Sequence, residues 1–443
     1  MNAAAAARSH KAGSKPGKGS YDVAVVGRGA VGTAAALAFA RAGRRVALVA
    51  PADNTPSGGG AGNATGQAAR GADDWDTRVF AISPSSRSLL LELGAWQLMD
   101  PGRLAPVHDM RLFNDGAGLV TRERAEVRLD AYQGRVEALA WIVENRELQQ
   151  ALDRAIALSL PTGMLSRVDA AVSELTLAPR DAEPAPEAVL GLAGGGRLTA
   201  GLVVAADGTA SPLRLLAGIE HEVREYDQTA IVANFRSGKP HRDCAWQWFR
   251  DDGVLALLPL PSDDLAHGEG RVSLVWSAPT DRASSFLDGD ADGAAGRLAR
   301  EVQVMSHGKL GTLTAISRPA GFPLRAVHCR RFIAPSFALV GDAAHAVHPM
   351  AGQGMNLGFG DVRALMDALL ADPTRRGRPD WLQLRRYERS RREPVAVMQL
   401  ALNGLHQAFG NLPPPLVGLR DLGWEVVARS SWIRRRMIAH AVS

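Results

Sequence analysis

The chain has 443 residues, of which 46% are hydrophobic and 22% charged, a composition typical of a globular protein with room for two or three domains. The net charge of +5 is small beside 51 basic and 46 acidic residues, and we find no basic stripe or nucleic-acid-binding module, which argues against a nucleic-acid partner. The two cysteines, Cys244 and Cys329, lie far apart, which argues against a disulfide framework or a cysteine zinc site and favours a reducing, cytoplasmic compartment.

The N-terminal part predicts the opening of a doubly wound α/β sheet. The apolar run over residues 21–26 is followed by the loop "GRGAVG", by an alanine-rich helix that closes at Gly43, and by a second apolar run, "RRVALVA". We expect a flexible tail over residues 1–20. No stretch reaches about 18 continuous apolar residues or resembles a signal peptide, so we expect no transmembrane helix.

The loop after the first strand has the glycine spacing of a dinucleotide-binding turn. Gly27 permits the tight turn, Gly29 lets the backbone approach a pyrophosphate, and Gly32 allows close packing of the helix. The helix N-terminus attracts anionic phosphates. With its flanking strand and helix, this loop predicts a dinucleotide site, and a purely structural glycine turn is the alternative.

The tip of the second strand departs from that pattern. An acidic residue there binds the adenosine ribose in dinucleotide-binding folds, but this position holds Ala50. Asp53 is a candidate substitute, although it lies in a Gly, Ala, Asn, Ser and Thr-rich segment, residues 51–74, that predicts a mobile surface insertion. We therefore expect the cofactor to be lost more readily in purification, and Ala50→Glu to tighten its binding.

The rest of the chain predicts a second domain and a helical end. Ser83 and Pro84 start a helix, and "ENRELQQALDRAIA" predicts another. Residues 168–204 read as short strands, and alternating segments between residues 221 and 330 are typical of an antiparallel sheet. Beyond about residue 365 the sequence is helical and rich in arginine.

Two later segments place an aspartate at the end of a strand. "LVVAADGTASPLR" brings Asp207 and Gly208 after an apolar run, where the aspartate is either a functional acid or a turn and cap residue. "FALVGDAAHAVHPMAGQGMNLGFGD" brings Asp342 after another run, followed by a loop and a helix that begins near Gly354 or Met355. A carboxylate there can accept hydrogen bonds from sugar or ribityl hydroxyls, and the alternative is again a capping residue.

The three segments, in this order, resemble the fingerprints of aromatic-hydroxylating flavoprotein monooxygenases of the p-hydroxybenzoate hydroxylase type. "DTRVFAISPSSRSLLLELGAW", "WIVENRELQQAL", "GVLALLPL" and "HPMAGQGMNLGFGDVRAL" are similar to the subgroup that acts in ubiquinone biosynthesis. The resemblance implies an α/β fold class, with a Rossmann-like FAD-binding domain, an inserted antiparallel-sheet substrate domain and a helical C-terminal region. The implied boundaries are 21–105, 141–220 and 331–365 for the first domain, 106–140 and 221–330 for the second, and 366–443 for the third.

The same resemblance implies the residues of the site. The three loop glycines meet the pyrophosphate of FAD, Asp342 meets the ribityl chain, and Asp207 and Gly208 belong to a segment linked to both FAD and NAD(P)H. Arg78 and Arg146 border the cofactor, where a guanidinium suits phosphate recognition, and a surface salt bridge is the alternative for each. The residues expected beside the flavin ring are Pro349, Gly352, Gln353, Gly354, Met355 and Asn356.

The implied reaction uses NADH or NADPH to reduce FAD and uses O₂ to hydroxylate the ring of a prenylated phenol. No second strand-linked glycine motif is present for the nicotinamide nucleotide, which agrees with its transient binding in this family. His348 is expected against the flavin face and is the candidate for a catalytic proton role, whereas His345 is expected to be structural. A metal site at these two histidines is disfavoured because no third ligand is evident nearby.

The implied substrate also suggests partners. A prenyl tail needs an apolar channel, and the candidate linings are Trp246, Trp248, Phe249, Leu255, Leu257 and Leu258, although such residues more often belong to plain core. The arginines within 385–392 and 434–436 are candidates for peripheral contact with anionic lipid at the inner face of the membrane, with a solvated helix face as the favoured alternative. A quinone-biosynthesis protein complex is a further candidate partner.

Three alternatives remain open at this point. A flavin-dependent halogenase shares much of the fold, but residues 246–251 lack the Ile-Pro of the halogenase segment Trp-x-Trp-x-Ile-Pro. A geranylgeranyl-reductase-like enzyme is the second alternative, and a non-catalytic scaffold subunit that has lost FAD is the third. Ala50 is the residue that favours the scaffold alternative, because the expected ribose-binding acid is missing. Losing one hydrogen bond to a charged group nevertheless costs only about 1.5 to 3 kcal/mol, which weakens FAD binding without abolishing it.

Overall fold

The structure is a computed structural model, and it describes residues 20–52, 74–114, 126–177, 179, 187–262, 268–288, 291–348, 352–370, 379–409 and 413–442. Asp53, Pro349 and most of the predicted mobile insertion lie outside these residues. The helices are α1 (Ala30–Arg41), α2 (Pro84–Glu92), α3 (Ala131–Gly134), α4 (Asn145–Ser159), α5 (Pro212–Leu216), α6 (Thr280–Leu287), α7 (Ala291–Met305), α8 (Gly354–Leu370), α9 (Trp381–Ala408), α10 (Pro414–Arg429) and α11 (Ser431–Val442).

The first sheet contains the predicted βαβ unit. Its strands are β1 (Ser20–Val26), β2 (Val46–Ala50), β8 (Leu165–Asp169), β9 (Val172–Thr176), β10 (Ala188–Leu192), β11 (Arg197–Ala205), β18 (Ile333–Ala334) and β19 (Phe337–Leu339). The order is β18-β19-β11-β1-β2-β8, parallel from β19 to β8, and β9 and β10 extend it antiparallel beside β11. All five residues of β2 are buried, as expected for a parallel strand covered on both faces.

Strand β8 differs from the sequence-based expectation. The first short strand was expected from about residue 168, but β8 begins at Leu165 and pairs in parallel with β2. Its sequence, Leu-Ser-Arg-Val-Asp, is partly exposed and lacks the continuous apolar run that identified the inner strands. Strand β8 lies at the edge of the parallel part of the sheet and is less buried than the inner strands, so its start could not be predicted from a hydrophobic pattern.

The second sheet is largely antiparallel, as predicted. Its strands run β20-β17-β12-β15-β14-β13-β5-β6 with β16 beside β12, where the bounds are β5 (Asp109–Asn114), β6 (Glu126–Asp130), β12 (His221–Ser237), β13 (Cys244–Arg250), β14 (Gly253–Leu260), β15 (Gly270–Pro279), β16 (Leu313–Ala315), β17 (Ala320–Cys329) and β20 (His345–Ala346). A small third sheet joins the two and consists of β3 (Val79–Ile82), β4 (Ala105–Val107) and β7 (Ala140–Glu144).

The region between residues 280 and 305 is helical, and the sequence analysis missed this. Helices α6 and α7 cover one face of the second sheet, and Trp248, Trp276 and Leu255 are fully buried beneath them. These residues are plain core, as the more frequent role of such side chains indicated. The helical pattern was missed because the strands on either side dominate the hydrophobic signal of the segment.

The opposite face of the second sheet is directed toward the first domain. The Asn234 side-chain amide of β12 donates to the carbonyls of Trp75 and Asp76, at 3.3 and 3.1 Å. Side chains alternate between the faces of a strand, so residues of the same parity as Asn234 share its face. The two domains therefore meet across this face. Among the described helices, none is long and apolar enough to cross a membrane.

Candidate active site

The three glycines of the loop between β1 and α1 have two different surroundings: Gly27 and Gly32 are closely packed, and Gly29 faces open space. Gly27 has φ +114°, and a Cβ there would lie 2.1 Å from the Ala206 carbonyl oxygen. A Cβ on Gly32 would lie 2.1 Å from the Gly27 carbonyl oxygen, so both positions are closed to any side chain. Gly29 has φ −69°, and a Cβ there would have no atom within 4 Å.

This geometry fits a pyrophosphate. The loop packs against β11 through Gly27 and Gly32, whereas Gly29 presents its backbone to open space at the start of α1. No side chain caps the N-terminus of α1, and uncapped amides at a helix N-terminus are ready donors to an anion. The residues present therefore fit the phosphates of a dinucleotide.

The Gly341-Asp342 turn follows β19 and meets the start of α8. Gly341 has φ +60°, and a Cβ on Gly354 would lie 3.9 Å from Asp342 Oδ1, so the carboxylate lies at the first turn of the helix. Asp342 is solvent-exposed. Desolvation by the surrounding protein nevertheless raises the pKa of its carboxyl above the ordinary value, against the opposing charges of Arg78 and His345. The turn thus offers an acceptor for hydroxyl groups close to a helix N-terminus.

Behind that turn lies a buried network that the sequence analysis missed. Asp361 of α8 is fully buried and accepts hydrogen bonds from the Gly341 amide at 2.8 Å, from His345 Nε2 at 2.7 Å and from Arg391 Nε of α9 at 2.7 Å. Burial alone would raise the pKa of Asp361, but His345 and Arg391 outweigh it and hold that pKa below its ordinary value. A charged residue on the otherwise apolar face of α8 was the available signal.

The Asp207-Gly208 turn is engaged in capping. Asp207 accepts hydrogen bonds from Ser211 Oγ at 2.5 Å and from the Leu213 amide at 3.1 Å, so it anchors the start of α5. Burial raises the pKa of its carboxyl. Arg214 of α5 is buried and donates through Nη1 to the Ala343 carbonyl at 3.0 Å, which ties this turn to the Gly341-Asp342 turn. Asp207 thus acts as a capping residue at the start of α5, and its role at the cofactor remains a prediction.

The two predicted arginines have different surroundings. Arg78 is exposed and close enough to Asp342 to lower the pKa of that carboxyl, and its guanidinium lies 5.4 Å from the centre of the Phe80 ring. Arg146 Nη2 lies 3.2 Å from Asp74 Oδ1 and 2.9 Å from the carbonyl of the same residue. Arg146 thus forms a salt bridge and its role at the cofactor remains a prediction, whereas Arg78 lies beside a second predicted site residue.

The residues predicted beside the flavin ring are brought to the start of α8, except Pro349, which lies outside the described residues. Gly352 has φ +62°. The Asn356 side chain accepts from the Ser83 amide at 3.0 Å and donates to the Ala81 carbonyl at 2.9 Å. It therefore links α8 to the junction of β3 and α2, and Met355 packs at the edge of the core. Ser83 caps α2, so the predicted start of that helix is confirmed.

His348 lies where the two domains meet. It is buried, its Nε2 is 3.0 Å from Gln228 Oε1 of β12, and its ring contacts Tyr226 edge-on with 4.8 Å between ring centres. Gln228 shares the parity of Asn234 and so belongs to the domain-facing side of β12. His345, three residues earlier, is instead bound to Asp361, so the two histidines have separate partners.

Comparison with known proteins decides the family. A family model described as an FAD binding domain matches residues 165–400, and one described as an FAD dependent oxidoreductase matches residues 22–238. The chain is 32% identical over 422 residues to the 3-demethoxyubiquinol 3-hydroxylase of Escherichia coli (strain K12), a match that covers 95% of this chain and 98% of that protein. The chain belongs to the ubiquinone-biosynthesis hydroxylases, which are FAD-dependent monooxygenases.

A second relative agrees with this family, and a solved structure agrees with the fold. The hydroxylase is 32% identical over 428 residues to the ubiquinone hydroxylase UbiL of Rhodospirillum rubrum, covering 95% of this chain and 89% of that protein. It superposes on the crystal structure of p-nitrophenol 4-monooxygenase PnpA from Pseudomonas putida DLL-E4 with a TM-score of 0.70 at 17% identity, covering 95% and 98% of the two chains, which shows a shared fold. The predicted family, fold class, enzyme class and FAD cofactor are confirmed.

Proposed function

We propose that this hydroxylase adds a hydroxyl group to the aromatic ring of a prenylated phenol, with NADH or NADPH as electron donor and O₂ as oxygen source. The observation that carries the proposal is the similarity to a 3-demethoxyubiquinol 3-hydroxylase along nearly the whole chain. When bound, FAD supplies the redox and oxygen chemistry, and the protein supplies position and exclusion of water.

The residues described above support an extended FAD site. Gly27 and Gly32 shape the loop, Gly29 and the first amides of α1 are placed to receive the pyrophosphate, and Asp342 is placed to accept ribityl hydroxyls at the start of α8. Arg78 beside Asp342 adds positive charge to this end of the site. The flavin-side loop is supported by the contacts of Asn356 with the β3–α2 junction. We assign the remaining predicted positions to the same site, namely Arg146, Asp207, Gly208, Pro349, Gly352, Gln353, Gly354 and Met355.

His348 is the residue we propose for moving a proton during hydroxylation. Its imidazole contacts Tyr226 and Gln228 of β12, and the Gln228 side chain fixes the direction of Nε2. Gln228 belongs to the domain-facing side of the second sheet, so His348 borders the face on which we propose that the phenol ring binds.

The reaction is tested with purified protein, FAD, NADH or NADPH and a prenylated phenol. We expect a flavin absorption spectrum, nucleotide oxidation that the phenol stimulates, and a product heavier by one oxygen atom that comes from ¹⁸O₂. The His348→Gln variant should keep the flavin spectrum and lose at least about a hundredfold in turnover, the lower end of the range for removal of a general acid or base. Protein that stays colourless with added FAD, or oxidation without labelled product, would contradict the proposed activity.

The side of the second sheet that faces the first domain supports a place for the substrate ring. Val275 and Ala256 pair across β15 and β14, and both are only partly buried, whereas Trp276 and Leu255 on the other face are fully buried. Small apolar side chains with remaining exposure leave room for a flat apolar group.

Enlarging Val275 is therefore expected to block substrate and spare the cofactor. For Val275→Trp we predict a loss in kcat/KM for the phenol of at least tenfold, with an unchanged flavin spectrum and melting temperature. Val304→Trp is the matched control, because Val304 is 72% exposed on α7 at the other face of the sheet. Equal kcat/KM in the two variants would place the substrate elsewhere.

We further propose peripheral contact with an anionic membrane surface through α10 and α11. Leu416, Leu419, Leu422 and Val426 recur along one side of α10 and are 46–65% exposed, and Trp432 of α11 is 71% exposed. Arginines are also exposed at the end of α10, at position 429, and on α11, at positions 435 and 436. Exposed apolar side chains and exposed arginines on the same pair of helices suit the interface of anionic lipid.

Vesicle sedimentation tests this contact. The hydroxylase should sediment with vesicles that contain phosphatidylglycerol and less with neutral vesicles, and Leu419→Asp should release it, whereas Val304→Asp on α7 should not. Binding to neither kind of vesicle would contradict a membrane contact and favour a protein partner in quinone biosynthesis.

A further inference from the structure

The tip of β2 lacks the expected acidic residue, but the neighbouring strand β8 ends in one, Asp169. Ala50, the last residue of β2, pairs with Asp169, the last residue of β8, and the Ala170 amide donates to the Ala50 carbonyl at 2.9 Å. Paired residues of a parallel sheet point to the same face, and adjacent strands are about 4.8 Å apart. The Asp169 carboxylate therefore leaves the sheet on the same side as the Ala50 methyl group, one strand away.

Arg28 connects this carboxylate to the glycine loop. It lies between Gly27 and Gly29, and its Nη2 donates to the Pro51 carbonyl at 2.9 Å while Nη1 is 3.4 Å from Asp169 Oδ1. The Arg28 side chain is 20% exposed and that of Asp169 is 60% exposed. The arginine thus bridges the tips of both strands, and the carboxylate beside it remains accessible to a ligand.

We propose that Asp169 binds the adenosine ribose of FAD in place of the missing acid at the tip of β2, and that Arg28 positions its carboxylate. A carboxylate is a strong acceptor for the ribose hydroxyls. An arginine alone at this place would favour a phosphate group, whereas the Arg28–Asp169 pair is close to neutral and suits an unphosphorylated ribose.

Titration of the apoprotein with FAD, followed by flavin fluorescence, tests the proposal without reference to turnover. Asp169→Ala should raise the Kd for FAD about ten- to a hundredfold, the range for a hydrogen bond to a charged group. Asp153→Ala is the matched control, since Asp153 is a partly exposed acid of the same domain whose Oδ1 lies 2.7 Å from Arg167 Nη2. The control should keep the wild-type Kd.

A cofactor analogue separates ribose binding from a structural effect. An FAD that carries 2′-deoxyadenosine should bind the wild type more weakly than FAD does, whereas Asp169→Ala should bind the two cofactors with similar Kd. Adding Ala50→Glu to Asp169→Ala should restore much of the affinity for FAD, and this gain should exceed that of Ala50→Glu in the native chain.

Two results would overturn the assignment. One is an Asp169→Ala variant whose Kd for FAD stays within twofold of wild type, and the other is a variant that loses the same factor for FAD and for the deoxy analogue. Wild-type apoprotein that binds no FAD would instead contradict the cofactor assignment itself.

Discussion

Gly32→Ala is expected to destabilise the apoprotein, whereas Gly29→Ala is expected to leave it folded and to weaken FAD binding. A methyl group at Gly32 meets the Gly27 carbonyl oxygen at 2.1 Å. The position of that methyl group is fixed by the backbone of α1, and the oxygen belongs to the backbone of the loop. Relief therefore requires α1 to move away from the loop, and overpacking of this kind typically costs about 1–3 kcal/mol. A methyl group at Gly29 meets nothing within 4 Å and occupies the space that a pyrophosphate would use.

Thermal unfolding of the apoproteins and FAD titration separate the two effects. Gly32→Ala should lower the melting temperature by several degrees before any cofactor is added, and Gly29→Ala should raise the Kd for FAD at an unchanged melting temperature. Gly404→Ala on α9 is the control, since a Cβ there also meets nothing within 4 Å and lies far along the chain from the loop. If Gly32→Ala and Gly29→Ala changed the melting temperature and the Kd for FAD in the same way, the proposed difference between a packing role for Gly32 and a cofactor-binding role for Gly29 would be refuted.

Removal of the Asp361 carboxylate is expected to cost about 3–5 kcal/mol in the free energy of unfolding, the range for breaking a buried ion pair. Asp361→Asn leaves Arg391 buried without its counter-charge and weakens the acceptor for the Gly341 amide. Because that amide belongs to the turn that carries Asp342, the Kd for FAD should rise as well. Asp367→Asn, an exposed aspartate on the same helix, should change neither quantity.

The pH dependence of this loss has a defined sign. The folded-state pKa of Asp361 lies below its unfolded value of about 4, so its stabilising contribution is complete above about pH 4 and is lost as the pH falls through the folded-state pKa. Urea unfolding of wild type and Asp361→Asn should therefore differ most near pH 7 and progressively less in acid. A difference that stays constant down to about pH 2 would show that the carboxylate charge is not the stabilising feature.

The sequence by itself determined the parts of this hydroxylase that depend on local chemistry. The strand, glycine turn and helix could be predicted because close backbone approach leaves only glycine possible at Gly27 and Gly32. The helix start at Ser83 could be predicted because a cap is a contact over three residues. The order of the three strand-end segments was sufficient to indicate an aromatic-hydroxylating flavoprotein monooxygenase, and four further segments indicated the ubiquinone-biosynthesis subgroup.

Only the tertiary structure decided which distant side chains meet. Asp361, His345 and Arg391 form one network although they span 47 residue positions, from 345 to 391, and no periodicity connects them. The pairing of Asp169 with the tip of β2 depends on the register of an edge strand whose sequence has no continuous apolar run. Hydrophobic patterns report which face of an element is buried, and they carry no information about which polar groups a given register brings together.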